Sequence, residues 1–294
     1  MTTPPRPAIL CVHQIGKVGS TSVLETLKHL LPAEKIHQTH VLHERAVLGS
    51  IRQWLGEFRN AQRPRPPRNL LASVELSRRL AAGTHVDDWY LLSLVREPIS
   101  RNISDFFENL RRVWVHHLAP PARDACLAIL KSKDVVPAEK IRPVAAELVL
   151  LFQRGYPREM IDAWFEREIH EGFGIDIFAR PFSREEGYQI YRRENVRLLV
   201  FRLENLATAF APGIRTWLAG SPWESAIAAG NLSLRRANEA GKKNYAALHA
   251  AFLEMLTLDN ELVRTEYGSR TARYFYSDDE LARFSGGWRR TGIS

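Results

Sequence analysis

A buried strand that runs directly into a glycine-bearing loop and then into an amphipathic helix leaves a chain few folds to adopt. Here Ala8 to Val12 is a short apolar run, and His13 to Ser20 is polar with Gly16 and Gly19 inside it. Val23, Leu24, Leu27, Leu30 and Leu31 then recur at helical spacing until Pro32 ends the run. A strand at 35–41 and helices at 44–60 and 74–82 follow the same alternation. Trp89-Tyr-Leu-Leu-Ser-Leu-Val95 is the strongest strand signal, and Pro98 just behind it suits the first turn of a new helix. Later come a helical block over about 118–170, a strand at 196–201, helices at 206–218 and 245–267, and an aromatic tail ending near Trp288. The pattern predicts one α/β domain over 1–294, with a parallel sheet flanked by helices and a helical insertion or cap at about 118–170.

Charge and cysteine usage narrow the function. Lys and Arg number 41 against 33 Asp and Glu, a formal balance of +8. The basic residues are scattered, and their densest group, Arg63-Pro-Arg-Pro-Pro-Arg68, reads as a proline-stiffened linker. Without a basic stripe interleaved with aromatics, the excess does not point to nucleic acid. Cys11 and Cys126 are too few for a disulfide framework or a four-cysteine zinc site, which suits a reducing compartment. The prolines of Met1-Thr-Thr-Pro-Pro-Arg-Pro7 interrupt any secretion leader, and no apolar run reaches the ~20 residues of a membrane span. The expectation is a soluble, cytoplasmic protein; its oligomeric state is not legible.

The loop Gly16-Lys-Val-Gly-Ser-Thr-Ser22 is the sharpest chemical signal. Backbone N–H groups of a glycine turn and of the first helical turn converge on one point, which the helix dipole makes favourable for an anion. Ser20, Thr21 and Ser22 add hydroxyls, Lys17 adds a point charge, and Gly16, Val18 and Gly19 contribute backbone. In a Walker A loop the lysine follows the last glycine and precedes Ser or Thr; here Lys17 precedes Gly19, which disfavours an ATP-dependent kinase. The plainer reading is a tight turn with Ser20 or Thr21 capping the helix. A second signal is Arg96, at the end of the strongest strand, followed by Arg101 and Ser104. The last two lie three apart on one helix face, where one anion would meet a guanidinium and a hydroxyl. Read separately, Arg101 and Ser104 are ordinary helix-surface residues.

These residues carry a resemblance. The strand followed by Gly16 to Ser22 resembles the 5′-phosphosulfate loop of sulfotransferases that use 3′-phosphoadenosine 5′-phosphosulfate (PAPS). Leu94-Val-Arg-Glu-Pro98 through Arg101 and Ser104 is similar to their 3′-phosphate motif, with Glu97 where Asp or Asn is more usual. More narrowly, several segments resemble bacterial sulfotransferase-like proteins named for capsular polysaccharide synthesis. They are His13-Gln-Ile-Gly-Lys-Val-Gly-Ser20, Trp164-Phe-Glu-Arg-Glu-Ile169, Pro181-Phe182 with Gly187-Tyr188, Phe201-Arg-Leu-Glu-Asn-Leu206 and Tyr274-Phe-Tyr-Ser-Asp-Asp-Glu280.

The resemblance implies a P-loop-like, sulfotransferase-type sheet and transfer of a sulfuryl group from PAPS, with the adenosine bisphosphate (PAP) as product and no metal. The acceptor would be a hydroxyl of a carbohydrate or another small molecule. Lys17 would stabilise charge on the leaving group, and Arg96, Ser104 and, with less support, Arg101 would hold the 3′-phosphate. His40 is the candidate base, with His37, His43 and Glu44 as competitors; polar residues finishing an exposed strand are the plain alternative. Zinc on the three histidines is disfavoured, because strand alternation separates His37 from His40. Lys242 and Lys243 read as a lid over the nucleotide or as a charged helix start, and Glu166 and Glu168 as a solvated helix face. Two other functions fit the same residues: a nucleotide-binding relic of polysaccharide assembly that has lost turnover, and an atypical phosphotransferase.

Overall fold

A computed structural model describes residues 6–59, 65–157, 160–235, 243–257 and 260–290. Its elements in chain order are β1 (Ala8–His13), α1 (Ser20–Leu30), β2 (Ile36–Thr39), α2 (Glu44–Arg59), α3 (Arg68–Ala81), β3 (Asp88–Val95), α4 (Pro98–Asn109), α5 (Pro120–Lys131), α6 (Ala138–Gly155) and α7 (Met160–Trp164). A π-helical turn, Phe165–Glu171, continues α7. Then come β4 (Tyr188–Arg193), β5 (Val196–Arg202), α8 (Leu206–Leu218), α9 (Glu224–Ala229), α10 (Lys243–Met255), α11 (Asn260–Gly268), α12 (Arg270–Phe275) and α13 (Asp278–Arg290). The chain divides into two compact units, one of residues 1–96 and 161–237, the other of 97–160 and 238–294. The helical block expected at 118–170 therefore lies across the division, with its last ten residues in the first unit.

The first unit is a five-stranded sheet, order β2-β1-β3-β5-β4, with helices from the same unit. The strands β1, β3 and β5 lie inside the sheet and are buried almost end to end, which is why they read as unbroken apolar runs. Strands β2, β1, β3 and β5 are parallel, but β4 is antiparallel to β5, so the sheet is mixed and not wholly parallel as expected. The β4–β5 hairpin turns through Glu194 and Asn195, with Glu194 at a φ of 49°. From β1 the chain crosses to β2 on one side; from β2 it returns through α2 and α3 to β3 on the other. The strand order thus reverses between β1 and β3, and a crevice at such a reversal, outside the carboxyl ends of the strands, is where open α/β sheets bind ligands.

The second unit is helical. Its core is aromatic: Phe106 packs edge-on against Phe152 at 5.3 Å between centroids and stacks on Phe252 at 5.9 Å, while Phe107 meets Phe252 at 5.0 Å. The helix expected at 245–267 is two, α10 and α11, and the aromatic tail folds into α12 and α13. Lys242 lies outside the described residues, as do Arg63 and Pro64 of the basic linker; Lys243 opens α10. No described helix is long and apolar enough to cross a membrane.

Candidate functional site

The site is built where β1 ends. Gln14, the first residue beyond the strand, is buried, and its side-chain amide donates to the Ser20 hydroxyl, which also accepts from Gln38 Nε2 at 3.2 Å. Those bonds tie the loop's far end to its start and to β2. Between them Lys17 sits at a φ of 71° and Gly19 at 83°. A left-handed lysine stores strain of a kind that concentrates at functional loops, whereas glycine takes such a φ freely. A side chain at Gly19 would also collide, since its Cβ would stand 2.5 Å from Leu203 Cδ1. Leu203 belongs to the Phe201-to-Leu206 segment, to which the sequence pattern assigned no role.

Helix α1 begins at Ser20 with Gly19 as its N-cap, a residue with no side chain to cap it, and has no acidic residue in its first turn. Its first turn therefore supplies no carboxylate to the positive end of the helix dipole. Arg96, just past the end of β3, brings its Nη1 to 3.5 Å from the Lys17 carbonyl, so it stands beside the loop at the β1/β3 reversal. Among the loop residues, Gly19 and Thr21 are exposed, Gly16, Lys17 and Ser22 are half-buried, and Val18 and Ser20 are buried, leaving Val18 only its backbone to offer.

The other half of the anion motif lies in the helical unit. Ser104 is half-buried on α4. Arg101 is 2% exposed, donates to Asn102 Oδ1 at 2.9 Å and Tyr156 OH at 3.3 Å, and lies 3.9 Å from Asp105. Its guanidinium is engaged with its own unit, and its burial is a correction to its reading as an ordinary helix-surface residue. Burial raises the Tyr156 hydroxyl pKa above the ordinary tyrosine value. Glu97, a mild departure from the usual motif, caps α4. Its two carboxylate oxygens accept from Ile99 N at 2.9 Å and Ser100 N at 2.7 Å, and Tyr267 OH donates to it at 2.8 Å.

Beyond β2, His40 is half-buried and its Nδ1 lies 3.0 Å from the Gln14 carbonyl. A carbonyl only accepts, so Nδ1 carries the proton and the neutral ring has its lone pair on Nε2. The competitors are placed differently. His37 is buried, and burial lowers its pKa below the ordinary value. His43 faces Glu171 at 3.5 Å, and Glu44 is exposed in the first turn of α2.

Sequence reasoning missed the group beneath His40. Glu166 is exposed and pairs with His170 through a 2.7 Å contact, as a solvated face requires. Glu168 is 0% exposed, a correction to its expected place on that face. It accepts from Leu42 N at 2.6 Å, His43 N at 2.9 Å and Arg167 Nε at 3.0 Å. Trp164, which the sequence placed only in a segment of family resemblance, donates Nε1–H to the His40 carbonyl at 2.8 Å. His13, at the end of β1, is wholly buried with Nδ1 2.9 Å from Thr39 Oγ1 and Nε2 3.8 Å from Glu168. Desolvation, with a smaller push from His40, lowers its pKa to about 3, so it is neutral. No group of three or more His, Cys, Asp or Glu suited to a metal occurs among the described residues.

A family model described as "Putative capsular polysaccharide synthesis protein" matches residues 144–277. That stretch contains Trp164, Glu168 and Leu203 and leaves the Gly16-to-Ser22 loop, His40 and Arg96 outside it. No curated protein and no solved structure matches the chain.

Proposed function

We propose that this chain is a sulfotransferase that moves the sulfuryl group of PAPS to a hydroxyl of a carbohydrate or other small acceptor, in capsular or related surface polysaccharide synthesis, on a P-loop-like sheet. The observation that carries the reading is the start of α1 at the β1/β3 reversal, glycine at its N-cap and no acidic residue in its first turn, with Lys17 and Arg96 close by. The local chemistry fits an anionic donor: small residues, hydroxyls on Ser20, Thr21 and Ser22, two cations and no acidic residue in the first turn of α1. The match to a capsular polysaccharide family supports the acceptor class alone.

In this reading the bond from sulfur to the bisphosphate oxygen breaks as the acceptor oxygen bonds to sulfur. Lys17 and the first N–H groups of α1 stabilise the negative charge that develops on the departing oxygen. Arg96 holds the 3′-phosphate; Ser104 and Arg101, which belong to the other unit, are left out. His40 accepts the acceptor's hydroxyl proton on Nε2, the nitrogen its contact with Gln14 leaves without one.

Calorimetric titration of the purified protein with adenosine 3′,5′-bisphosphate and with ATP tests the reading. Magnesium-independent binding of the bisphosphate is the expected result, and preference for ATP with magnesium overturns it in favour of phosphoryl transfer. Transfer of labelled sulfate from PAPS to a panel of saccharides then separates an enzyme from a binding relic.

A further inference from the structure

We propose that Trp164 and Glu168 are positioning residues that clamp the segment bearing His40 and so fix which nitrogen of that imidazole faces the reaction; the functional part of this inference rests on the reading of His40 as base. His40 belongs to no regular element, because β2 ends at Thr39 and α2 begins at Glu44. A group carried by a short irregular loop would sample many orientations, and a general base needs one. The missing constraints come from far along the chain. Trp164 Nε1 bonds the carbonyl of His40 itself, and Glu168 Oε2 gathers the N–H groups of Leu42 and His43, the two residues that lead into α2. Together with the Gln14 carbonyl on Nδ1, these contacts hold the loop at its ring, at its own backbone and at its exit.

Packing alone does not account for Glu168. Its side chain is wholly buried, and a carboxylate without solvent is unfavourable unless hydrogen bonds and charge offset its desolvation. An apolar residue would fill the space with no such demand. What the carboxylate adds is the capacity to accept two backbone N–H groups at the start of a helix, whose dipole favours the same charge. Trp164 and Glu168 are four residues apart, on one face of a helix that widens to a π-turn at Phe165. One rigid segment thereby reaches both ends of the loop. The Trp164 ring also lies 5.0 Å from that of His13, so the segment braces the end of β1 as well.

The test reads His40 directly. In full-length protein with 15N-labelled histidine, two-bond imidazole NMR at a pH where the ring is neutral reports the tautomer. The parent is expected to show the Nδ1–H form. Trp164→Phe, which keeps an aromatic ring and removes one N–H, and Glu168→Gln, which removes the charge, should each lower the ratio of Nδ1–H to Nε2–H by about threefold or more. Bisphosphate affinity should stay within about twofold in both. An unchanged tautomer ratio in folded Trp164→Phe overturns the clamp, whatever becomes of Glu168→Gln. Failure of the parent to bind the bisphosphate removes the sulfotransferase reading instead, and leaves the tautomer result to decide the clamp alone.

Discussion

The starts of α1 and α4 follow strands buried almost throughout, β1 and β3, yet the chain finishes them in opposite ways. At α4 the protein supplies its own anion: Glu97 occupies the Ile99 and Ser100 N–H groups, with Tyr267 fastening the carboxylate. At α1 it supplies none from the helix's first turn, has Gly19 as N-cap, and places Lys17 and Arg96 close by. A helix start whose dipole is answered by its own N-cap carboxylate is architecture; under the proposed reading, the start of α1 serves instead to receive an anion. The difference teaches that, in the proposed reading, the second motif does not act through a helix terminus, since Glu97 already occupies that of α4. Its contribution is Arg96, which stands at the first.

The largest effect expected from this contrast is on binding. Arg96→Ala should weaken adenosine 3′,5′-bisphosphate by roughly 2–5 kcal/mol if its guanidinium pairs with a desolvated phosphate. Calorimetry giving the parental dissociation constant would strike Arg96 from the α1 site. Lys17 separates affinity from turnover. Its φ of 71° suits glycine, so Lys17→Gly should unfold at nearly the parental urea concentration while kcat for sulfuryl transfer falls by about 10²–10³-fold. A variant that keeps full turnover would show that the α1 site needs no lysine.

The β1 corner has a further trait that the α4 corner lacks, a buried neutral histidine. His13 has a folded pKa of about 3 against an ordinary 6.5. Below 6.5 the unfolded chain binds a proton that the folded one refuses. Its stabilising effect is therefore complete above 6.5 and is lost as the pH falls from there towards 3. Between pH 7 and pH 5 the parent should lose about 2 kcal/mol more than His13→Asn, measured by urea unfolding at both values. Equal losses would mean that His13 is protonated in the folded protein, and the pairing with Glu168 would need to be redrawn.

Much of this contrast was legible in the sequence, and the reasons differ by element. β1, β3 and β5 declared themselves because strands covered on both faces must be apolar throughout. The Gly16-to-Ser22 loop was legible because few residue types tolerate its backbone. β4 was not, since Tyr-Gln-Ile-Tyr-Arg-Arg at an edge lacks both an apolar run and a clean alternation. Glu168 was misplaced because a charged residue on a helix is normally solvated, and what offsets the burial of this one is backbone from residues 42 and 43. Arg101 was placed at the surface for the same reason, its partners Asn102 and Tyr156 being visible only once the helices pack.

The smallest effect bears on the comparison most directly. Glu97→Ala removes the cap from α4 and leaves the Tyr267 hydroxyl without its carboxylate, so stability should fall by about 1–2 kcal/mol in urea unfolding. If the two helix starts differ only in who supplies the anion, the vacated N–H groups of Ile99 and Ser100 should now accept one from solution. Millimolar inorganic phosphate should then stabilise Glu97→Ala more than the parent, in which the start of α4 is already filled. Should phosphate raise the melting temperature of both proteins equally, the helix starts are not interchangeable. The preference of α1 for an anion would then come from Lys17 and Arg96, with the dipole adding little.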